Sequence, residues 1–541
     1  MRNDTFTQVA LIAGLRWRLF RNSLHTTRAK LELAGQIFLS IAAALVAAGG
    51  GLGLFTIAFL LSGGSRYTIL HALLWGIFLA WLILPLLVAA GTSTIDFREL
   101  LRFPLRFSSY LLVSLAYSLF DPVALAAFFW LACFFAGISA ARPDLILVLA
   151  PAFVGLAAVT LFMSRSLMTV IERLFRRRRG REIFFTVFVL AMLSGQLVMV
   201  AAEDQIETAW KYAGANPGWL LIFPPNLAFA AFETARAGGV AAPLSFAAVL
   251  ALYASLLFIA HRRRTLAQYR GEDLSEGVAV TSAQAAPVEA GWRLPLLPGS
   301  IAALVEREFR YASRNGFTLM NLVIPISLPA VFGAVAISGE ELPGFMTRDA
   351  GASFFGLVAY TQLVTSQLVF NQFAFEGHGI QFLFFAPVRF REVFAAKNLA
   401  YAAAVLIDVV LIWLVMAAFG QAPGALATVT VLAALPFLLL AQMTVGNLLS
   451  LYFPRRFDFG KFKQRQSGMS VLLGMLQQMV ALAIAGGIYV LARWLGVLWA
   501  AALAYVVLGA AMAMVYNIFL SHYDAIALRR REALTAELCH E

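Results

Sequence analysis

The sequence predicts an all-α polytopic membrane protein of about twelve transmembrane helices, arranged as two parallel six-helix repeats. Three observations predict this fold class: an apolar composition, regularly spaced apolar runs, and a short basic segment that occurs once in each half. Of the 541 residues, 61% are hydrophobic and only 13% are charged, and the mean hydropathy is +0.81. Soluble globular proteins carry about 25% charged residues. The composition therefore excludes an ordinary soluble domain.

Apolar runs, six in each half, supply the predicted spans. A helix needs about 20 predominantly apolar residues to cross the hydrocarbon core of a bilayer, and each run is close to that length or longer. The runs are 32–61, 68–90, 108–137, 145–170, 184–202 and 239–260 in the first half, and 318–338, 351–371, 394–419, 426–452, 468–492 and 497–519 in the second.

A basic amphipathic segment precedes the first span of each half. Within residues 5–30, Ile12 and Leu15 share a helical face, and several arginines supply positive charge for anionic lipid headgroups. Residues 301–314 repeat the pattern at the start of the second half. These segments are predicted to be amphipathic interfacial helices. The alternative for residues 5–30 is a positive flank that only orients the first span.

The same features predict three parts of the chain. Residues 1–265 form a first six-span membrane unit, and residues 298–541 form a second unit with a cytoplasmic C-terminal tail. Residues 266–297 are predicted to be a disordered cytoplasmic linker because they are rich in Gly, Ser, Ala and Pro. The order of features, rather than sequence identity, indicates one six-span unit used twice in parallel orientation.

The distribution of lysine and arginine predicts that both termini lie in the cytoplasm and that the protein resides in the inner (plasma) membrane. With residue 1 inside, only six of the 41 lysines and arginines fall in outer loops. This distribution agrees with the excess of lysine and arginine that membrane proteins carry in their cytoplasmic loops. The net charge of +12 therefore reflects orientation and contact with membrane lipids. Nucleic-acid binding is not expected because the chain has no long basic surface segment.

One outer segment, residues 203–238, distinguishes the first half from the second. Its stretch 220–232 is apolar but too short and too interrupted by proline to cross a bilayer. We expect it to enter the outer leaflet and return, or to lie along that leaflet. The matching place in the second half, near Arg493, is only a short turn.

Two related segments, each following the second apolar run of its half, are predicted to contact a partner in the cytoplasm. We call residues 94–107 the first elbow and residues 377–390 the second elbow. Aligning Pro104 with Pro387 also aligns Arg106 with Arg389. Their phenylalanine, leucine and arginine side chains suit an interface with an apolar centre and a charged edge. The predicted contact residues are Phe97, Arg98, Leu101, Phe103, Pro104, Arg106, Phe384, Pro387 and Arg389.

Charged and polar residues inside the runs are few, and such residues often mark a transport pathway. Asp121 and Asp408 fall near the middle of the third and ninth runs. Together with Gln362 and Gln367 of the eighth run they are candidate substrate-pathway residues. The alternative is structural: an inward-facing acid bonded to polar neighbours, and amides that join helices to one another.

Catalytic and metal-binding motifs are missing from the sequence. No GxxxxGK[ST] phosphate loop occurs, since Gly460-Lys461 lacks both the first glycine and the Ser or Thr. The six histidines show no metal-ligand spacing, and no Ser-His-Asp or paired-carboxylate motif stands out. We therefore expect neither an enzyme nor a metal site.

Taken together, these features resemble the permease subunits of ABC-2-type ATP-binding cassette exporters. The resemblance rests on the entry segment 5–30, the first elbow, and the outer segment containing Pro224-Pro225, and it covers nearly the whole chain as organisation rather than identity. It implies that the elbows hold coupling helices that bind separate ATPase subunits. It implies that ATP and Mg²⁺ are held by those partners, with no cofactor on this chain. It also implies export of a lipid-like or amphipathic substrate.

Two departures from the family pattern affect what the resemblance implies. Most members carry one six-span unit and dimerise, whereas this chain has two units. One chain is therefore expected to bind two ATPase subunits, and the alternative is that the first halves of two copies of the chain pair. The second unit also lacks the outer segment. Two other functions remain open from the sequence: a secondary, ion-coupled transporter, which also uses parallel repeats, and a membrane assembly or anchoring protein without transport.

Overall fold

A computed structural model shows that the chain is built from helices. The structure describes residues 5–23, 27–64, 68–87, 105–119, 121–176, 218–271, 297–314, 321–326, 349–457 and 467–539, together with positions 103, 180, 183, 184, 187, 318 and 319. Every regular element in these ranges is an α-helix or a short 3-10 turn.

The long helices confirm the all-α polytopic membrane class. Among the described residues, nine helices are long and apolar enough to cross a membrane. They are Lys30–Ser62, Pro122–Ala141, Pro143–Ile171, Ala241–Tyr269, Ala350–Phe370, Phe390–Ala418, Ala425–Tyr452, Gly468–Trp494 and Leu498–Arg529. The arrangement as twelve spans in two repeats stays a prediction, since most of the runs 184–202 and 318–338 lie outside the described residues.

The helices before residue 271 form one compact unit. They are α1 (Thr5–Ser23), α2 (Thr27–Ser62), α3 (Thr68–Leu87), α4 (Phe107–Leu119), α5 (Pro122–Ala141), α6 (Ile146–Arg176), α7 (Pro224–Arg236) and α8 (Ala241–Tyr269). Helix α2 packs along α5, and α6 packs along α8.

The helices after residue 297 form a second compact unit. They are α9 (Gly299–Arg314), α10 (Ala350–Phe370), α11 (Ile380–Phe385), α12 (Phe390–Ala418), α13 (Ala425–Tyr452), α14 (Gly468–Trp494), α15 (Leu498–Arg529) and α16 (Arg531–Cys539). Helix α13 lies along α15 and also contacts α10 and α14, so it occupies the centre of this unit.

The prediction of one continuous helix across the run 108–137 is wrong. Helix α4 ends at Leu119 and α5 begins at Pro122. Asp121 is the N-cap of α5, and its carboxylate accepts a hydrogen bond from the Val123 N–H at 3.1 Å. A proline fits the first turn of a helix but disfavours helical backbone in the residue before it. The Asp-Pro pair therefore starts a new helix, and Asp121 does not lie in the middle of one.

The outer segment contributes a buried helix to the first unit. Helix α7 has 13 residues, too few to cross a bilayer, and it packs against α3, α6 and α8. Asn226 fixes its N-terminal end, because the Asn226 Oδ1 accepts hydrogen bonds from the His71 ring at 2.9 Å and from the Trp75 indole at 2.6 Å.

The end of α8 differs from the sequence prediction: the helix continues to Tyr269, past the predicted linker start at residue 266.

Candidate functional site

The second elbow is a short helix held between two turns. Gly377 has φ of +49°, a conformation that favours glycine, and it turns the chain after α10 into the 3-10 turn Gly377–Gly379. Helix α11 follows and ends at Phe385. Ala386 is extended, with φ −68° and ψ 147°, because it precedes Pro387. The sequence of the elbow thus limits α11 to six residues.

Two phenylalanines of α11 point away from the protein. Phe382 is 77% exposed and Phe385 is 75% exposed, whereas Ile380 and Leu383 are buried. Because residues three apart share a helical face, Phe382 and Phe385 form one exposed aromatic pair. Pro387 and Arg389 are exposed beside them, as predicted contact residues must be, but Phe384 is only partly exposed and packs inward.

The aromatic pair was missed at the sequence level. The run Phe382-Leu383-Phe384-Phe385 is apolar throughout and does not by itself indicate which side chains face outward. A helical period starting at the buried Ile380 would have placed Leu383 and Phe384 inward and Phe382 and Phe385 outward. The sequence did not show where α11 begins and ends, and without these limits the helical period could not be assigned to the run.

A compact apolar cluster packs against the buried side of α11. It joins the elbow to the first turns of α12, the end of α13, the end of α15 and the C-terminal helix α16. Its buried members are Phe373, Ile380, Leu383, Phe390, Val393, Phe394, Leu451, Tyr523, Ala527, Leu534 and Leu538. Four other helices of the second unit thus hold one short displayed segment, so that the elbow has a rigid base.

The elbow packs on the polar end of α12. Helix α12 has 29 residues, which corresponds to about 43 Å of length, whereas a span needs about 30 Å. Its first turns contain Arg391, Glu392 and Lys397, and residues 399–418 are apolar apart from Asp408. The N-terminal part of α12, on which α11 packs, therefore projects about 13 Å beyond the apolar stretch.

A cluster of mostly buried charged side chains connects α9, the amphipathic entry helix of the second unit, to the N-terminal part of α12. The Lys397 Nζ lies 2.8 Å from Glu376 Oε1 and 3.0 Å from Glu308 Oε1. Arg307 of α9 pairs with the same Glu376 carboxylate and with Glu308. Burial opposes ionisation of Glu376, but the nearby Lys397 and Arg307 charges outweigh it and lower the pKa of this carboxyl. Two cations and two anions balance within the cluster.

Only part of the first elbow lies within the described residues. Phe97, Arg98, Leu101 and Pro104 lie outside them, while Phe103 is 53% exposed and Arg106 is also exposed. The C-terminal end of this elbow is anchored on the entry helix α1.

Two polar contacts make that anchor, and a third joins the elbow to α8. The Gln8 side-chain oxygen accepts hydrogen bonds from the Arg106 backbone N–H at 3.1 Å and from the Ser109 hydroxyl at 2.7 Å. The Tyr269 hydroxyl donates to the Leu105 carbonyl at 2.7 Å. In both units, therefore, the amphipathic entry helix packs on the helix that follows the elbow: α1 on α4, and α9 on α12.

A layer of polar side chains crosses the core of the second unit between α10, α12 and α13. Tyr401 donates a hydrogen bond to Gln442 at 3.1 Å and also bonds Thr365 at 2.9 Å. Further along, Gln372 donates to Asn398 at 2.8 Å and to Asn447 at 3.0 Å. These amides and hydroxyls join the helices, as the structural alternative predicted.

Two members of the predicted pathway set are buried without a complete set of partners. Asp408 is 2% exposed, and its Oδ2 has no hydrogen-bond partner among the described residues. Gln362 is fully buried, and within the same part of the chain neither its side-chain oxygen nor its nitrogen is paired. Such groups are costly in a packed core, and they are the features most typical of a ligand or proton site.

The other two predicted pathway residues do not join this layer. Gln367 lies on α10 but is exposed, because five residues along a helix place it far around the axis from Gln362. Asp121 belongs to the first unit as a helix cap. Among the described residues, no group of three or more His, Cys, Asp or Glu side chains is placed to hold a metal ion.

The fold and these surfaces define an integral, multi-pass membrane protein with a displayed elbow and a buried polar layer. No family model, no curated protein and no solved structure matches the chain.

Proposed function

We propose that this chain is the permease subunit of an ATP-driven exporter, energised by separate ATPase subunits that bind the elbows on the cytoplasmic side. The observation that carries the proposal is the aromatic pair Phe382 and Phe385, which is about three-quarters exposed on a short helix between two membrane spans. Aromatic side chains displayed on a rigid support are the usual anchors of protein interfaces.

The surroundings of the elbow suit the transmission of force. The apolar cluster that packs against α11 and the ion cluster around Lys397 connect it to α9, to α12 and to the residues that directly follow α10. The spans α10 and α12 carry Gln362 and Asp408 in the buried polar layer. A partner that moves the elbow would therefore move the two helices that hold the candidate pathway residues.

The substrate class and stoichiometry follow the family resemblance. A lipid-like or amphipathic substrate suits a polar layer enclosed by apolar helices, because its headgroup requires hydrogen-bonding partners inside the bilayer. We expect two ATPase subunits per chain, one at each elbow, with ATP and Mg²⁺ bound by them.

Partner recovery tests this function. Full-length chain is purified from native membranes, and co-purifying proteins are identified by mass spectrometry as carrying or lacking a phosphate-loop motif. Phe382→Asp should reduce recovery of such an ATPase about tenfold or more, as expected for an interface anchor. The control is Gln421→Asp, an equally charged change at an exposed residue beyond the opposite end of α12. Equal recovery with Phe382→Asp and wild type would reject the assignment.

One observation favours a second candidate function, an ion-coupled secondary transporter. Asp408 is a buried acid without a complete set of partners in the middle of an apolar helix, which is where proton or cation sites occur in such carriers. Transport by proteoliposomes decides between the two. Uptake that needs an ion gradient, needs no ATP, and is lost in Asp408→Asn would favour the carrier over the permease.

A further inference from the structure

The C-terminal helix α16 packs directly against the second elbow. Leu534 and Leu538 are fully buried in the same apolar cluster as Ile380 and Leu383 of α11. The Arg531 guanidinium lies 5.2 Å from the Phe385 ring centroid and 5.5 Å from that of Phe384. The far end of α16 is held too, because the Cys539 Sγ lies 3.6 Å from Gln381 Nε2 and 3.9 Å from the Gly377 carbonyl oxygen.

Neither of these short helices is stable alone. Isolated helices shorter than about 12 residues are marginal in water, whereas α11 has six residues and α16 has nine. Each buries its apolar side against the other and against α12 and α15. The orientation of Phe382 and Phe385 therefore depends on α16.

We propose that α11 and α16 form a single docking surface, and that its partner presents an apolar pocket bordered by carboxylates. The proposal rests on the proposed function, in which the partner is an ATPase subunit, and adds that the C-terminal helix is half of the binding site. The aromatic pair enters the pocket, and the arginines around it meet the acidic border.

Charge indicates the chemistry of the partner. Within residues 376–392 and 523–539, the exposed charged side chains are Arg389, Arg391, Arg529, Arg531 and Glu532. Among the exposed side chains, four cations thus stand against one anion, while Arg530, Glu392, Asp524 and Glu537 are partly buried. A complementary surface must supply negative charge, since like charges at an interface are strongly unfavourable.

Position favours a protein over the membrane surface as the occupant. The elbow packs on the part of α12 that projects about 13 Å beyond the apolar stretch 399–418. Helix α15 likewise turns polar at Ser521, His522 and Asp524 before it reaches α16. At that distance from the apolar stretch of α12, the exposed aromatic pair faces water, where only another macromolecule can bury it.

The first experiment loosens α16 without adding a charge. The double variant Leu534→Ala/Leu538→Ala removes its buried side chains. The matched control, Leu491→Ala/Leu495→Ala, changes two leucines at the same spacing that are each 56% exposed near the other end of the unit. The position of α16 is read from crosslinking of Gln381→Cys to the native Cys539 with a short thiol reagent, in a Cys133→Ala background, which leaves no third cysteine.

The expected result has two parts. Leu534→Ala/Leu538→Ala should lose the crosslink and lower recovery of the phosphate-loop ATPase about tenfold, while the control variant should keep both. Loss of the crosslink with undiminished ATPase recovery would overturn the role of α16 and leave the proposed function standing. Retention of the crosslink would contradict the claim that these leucines hold α16. Undiminished recovery with Phe382→Asp would instead reject the proposed function itself.

A second experiment separates the protein partner from lipid. A fluorophore on Gln381→Cys, an exposed position next to the aromatic pair, is exposed to aqueous iodide or to lipids with brominated chains, in a background with both native cysteines replaced by alanine. Quenching by iodide, with protection when the ATPase is bound, supports the proposal. Quenching by brominated lipids would show that the aromatic pair is buried in the membrane and would overturn it. ATPase recovery should also fall with rising salt, because the arginine contacts are screened.

Discussion

Lys397 Nζ lies 2.8 Å from Glu376 Oε1, and this buried pair joins the N-terminal part of α12 to the chain just before the second elbow. The lysine side chain is only 7% exposed, and Glu308 of the entry helix is its second partner. The cluster is neutral only when all its members are present. It therefore links three segments through paired charges, because an unpaired charge in the protein interior is strongly destabilising.

Removal of the lysine should destabilise the second unit strongly. Lys397→Met leaves two largely buried carboxylates facing one arginine, and breaking a buried pair costs about 3–5 kcal/mol. Unfolding of the chain in detergent micelles measures the effect. Arg493→Met, which breaks the more exposed pair with Asp349, should cost less than about 1 kcal/mol.

Removal of both partners tests the coupling itself. Lys397→Met/Glu376→Gln should be more stable than the sum of the two single changes predicts. Strict additivity would show that the two groups do not stabilise each other.

Acidification should weaken the same cluster. Although burial opposes its ionisation, Lys397 and Arg307 lower the pKa of Glu376 below its ordinary value of 4.5. A carboxyl with a lowered folded-state pKa contributes stability that is complete above its unfolded pKa and is lost as the pH falls through the folded pKa. At pH values below about 4.5, the melting temperature of wild type should therefore decrease. Glu376→Gln should lack that part of the decrease. Identical pH profiles would contradict this assignment.

Asn226 should control how firmly α7 is held. Asn226→Ala leaves the buried His71 ring and the Trp75 indole without their shared acceptor, and each unpaired buried group costs about 1–3 kcal/mol. Amide hydrogen exchange in α7 should accelerate, while Asn22→Ala on the exposed side of α1 should leave it unchanged. Unchanged exchange in Asn226→Ala would show that packing alone holds the helix.

Gly137 marks a close approach between the backbones of α5 and α2. A Cβ at this position would overlap the Phe55 carbonyl oxygen, whereas a Cβ at Gly53 on α2 meets nothing within 4 Å. Gly137→Ala should therefore cost about 1–3 kcal/mol through forced separation of the helices. Gly53→Ala should be neutral or stabilising by up to about 1 kcal/mol, since alanine favours helix. Equal thermal stability of the two variants would place the crossing elsewhere.

The prediction of Asp121 shows where sequence reasoning reached its limit within one helix run. Hydropathy reports only how apolar a stretch is on average, and the run 108–137 is predominantly apolar on both sides of Asp121. The Asp-Pro pair was the available signal, because proline fits the first turn of a helix and aspartate caps it. Gln367 shares a helix with Gln362 but faces a different direction, which hydropathy also does not report.

The sequence by itself determined that this is a polytopic helical membrane protein, where most of its long spans lie, and that a short proline-containing segment joins α10 to α12. Composition and periodicity suffice for these, because the bilayer requires long apolar helices wherever the chain crosses it. Only the tertiary structure decided that Phe382 and Phe385 face outward while Phe384 packs inward, that α16 supports them, and that Lys397 meets Glu308. Those contacts join residues up to 162 positions apart, and their partners are chosen by packing and charge balance in three dimensions, which local sequence patterns do not encode.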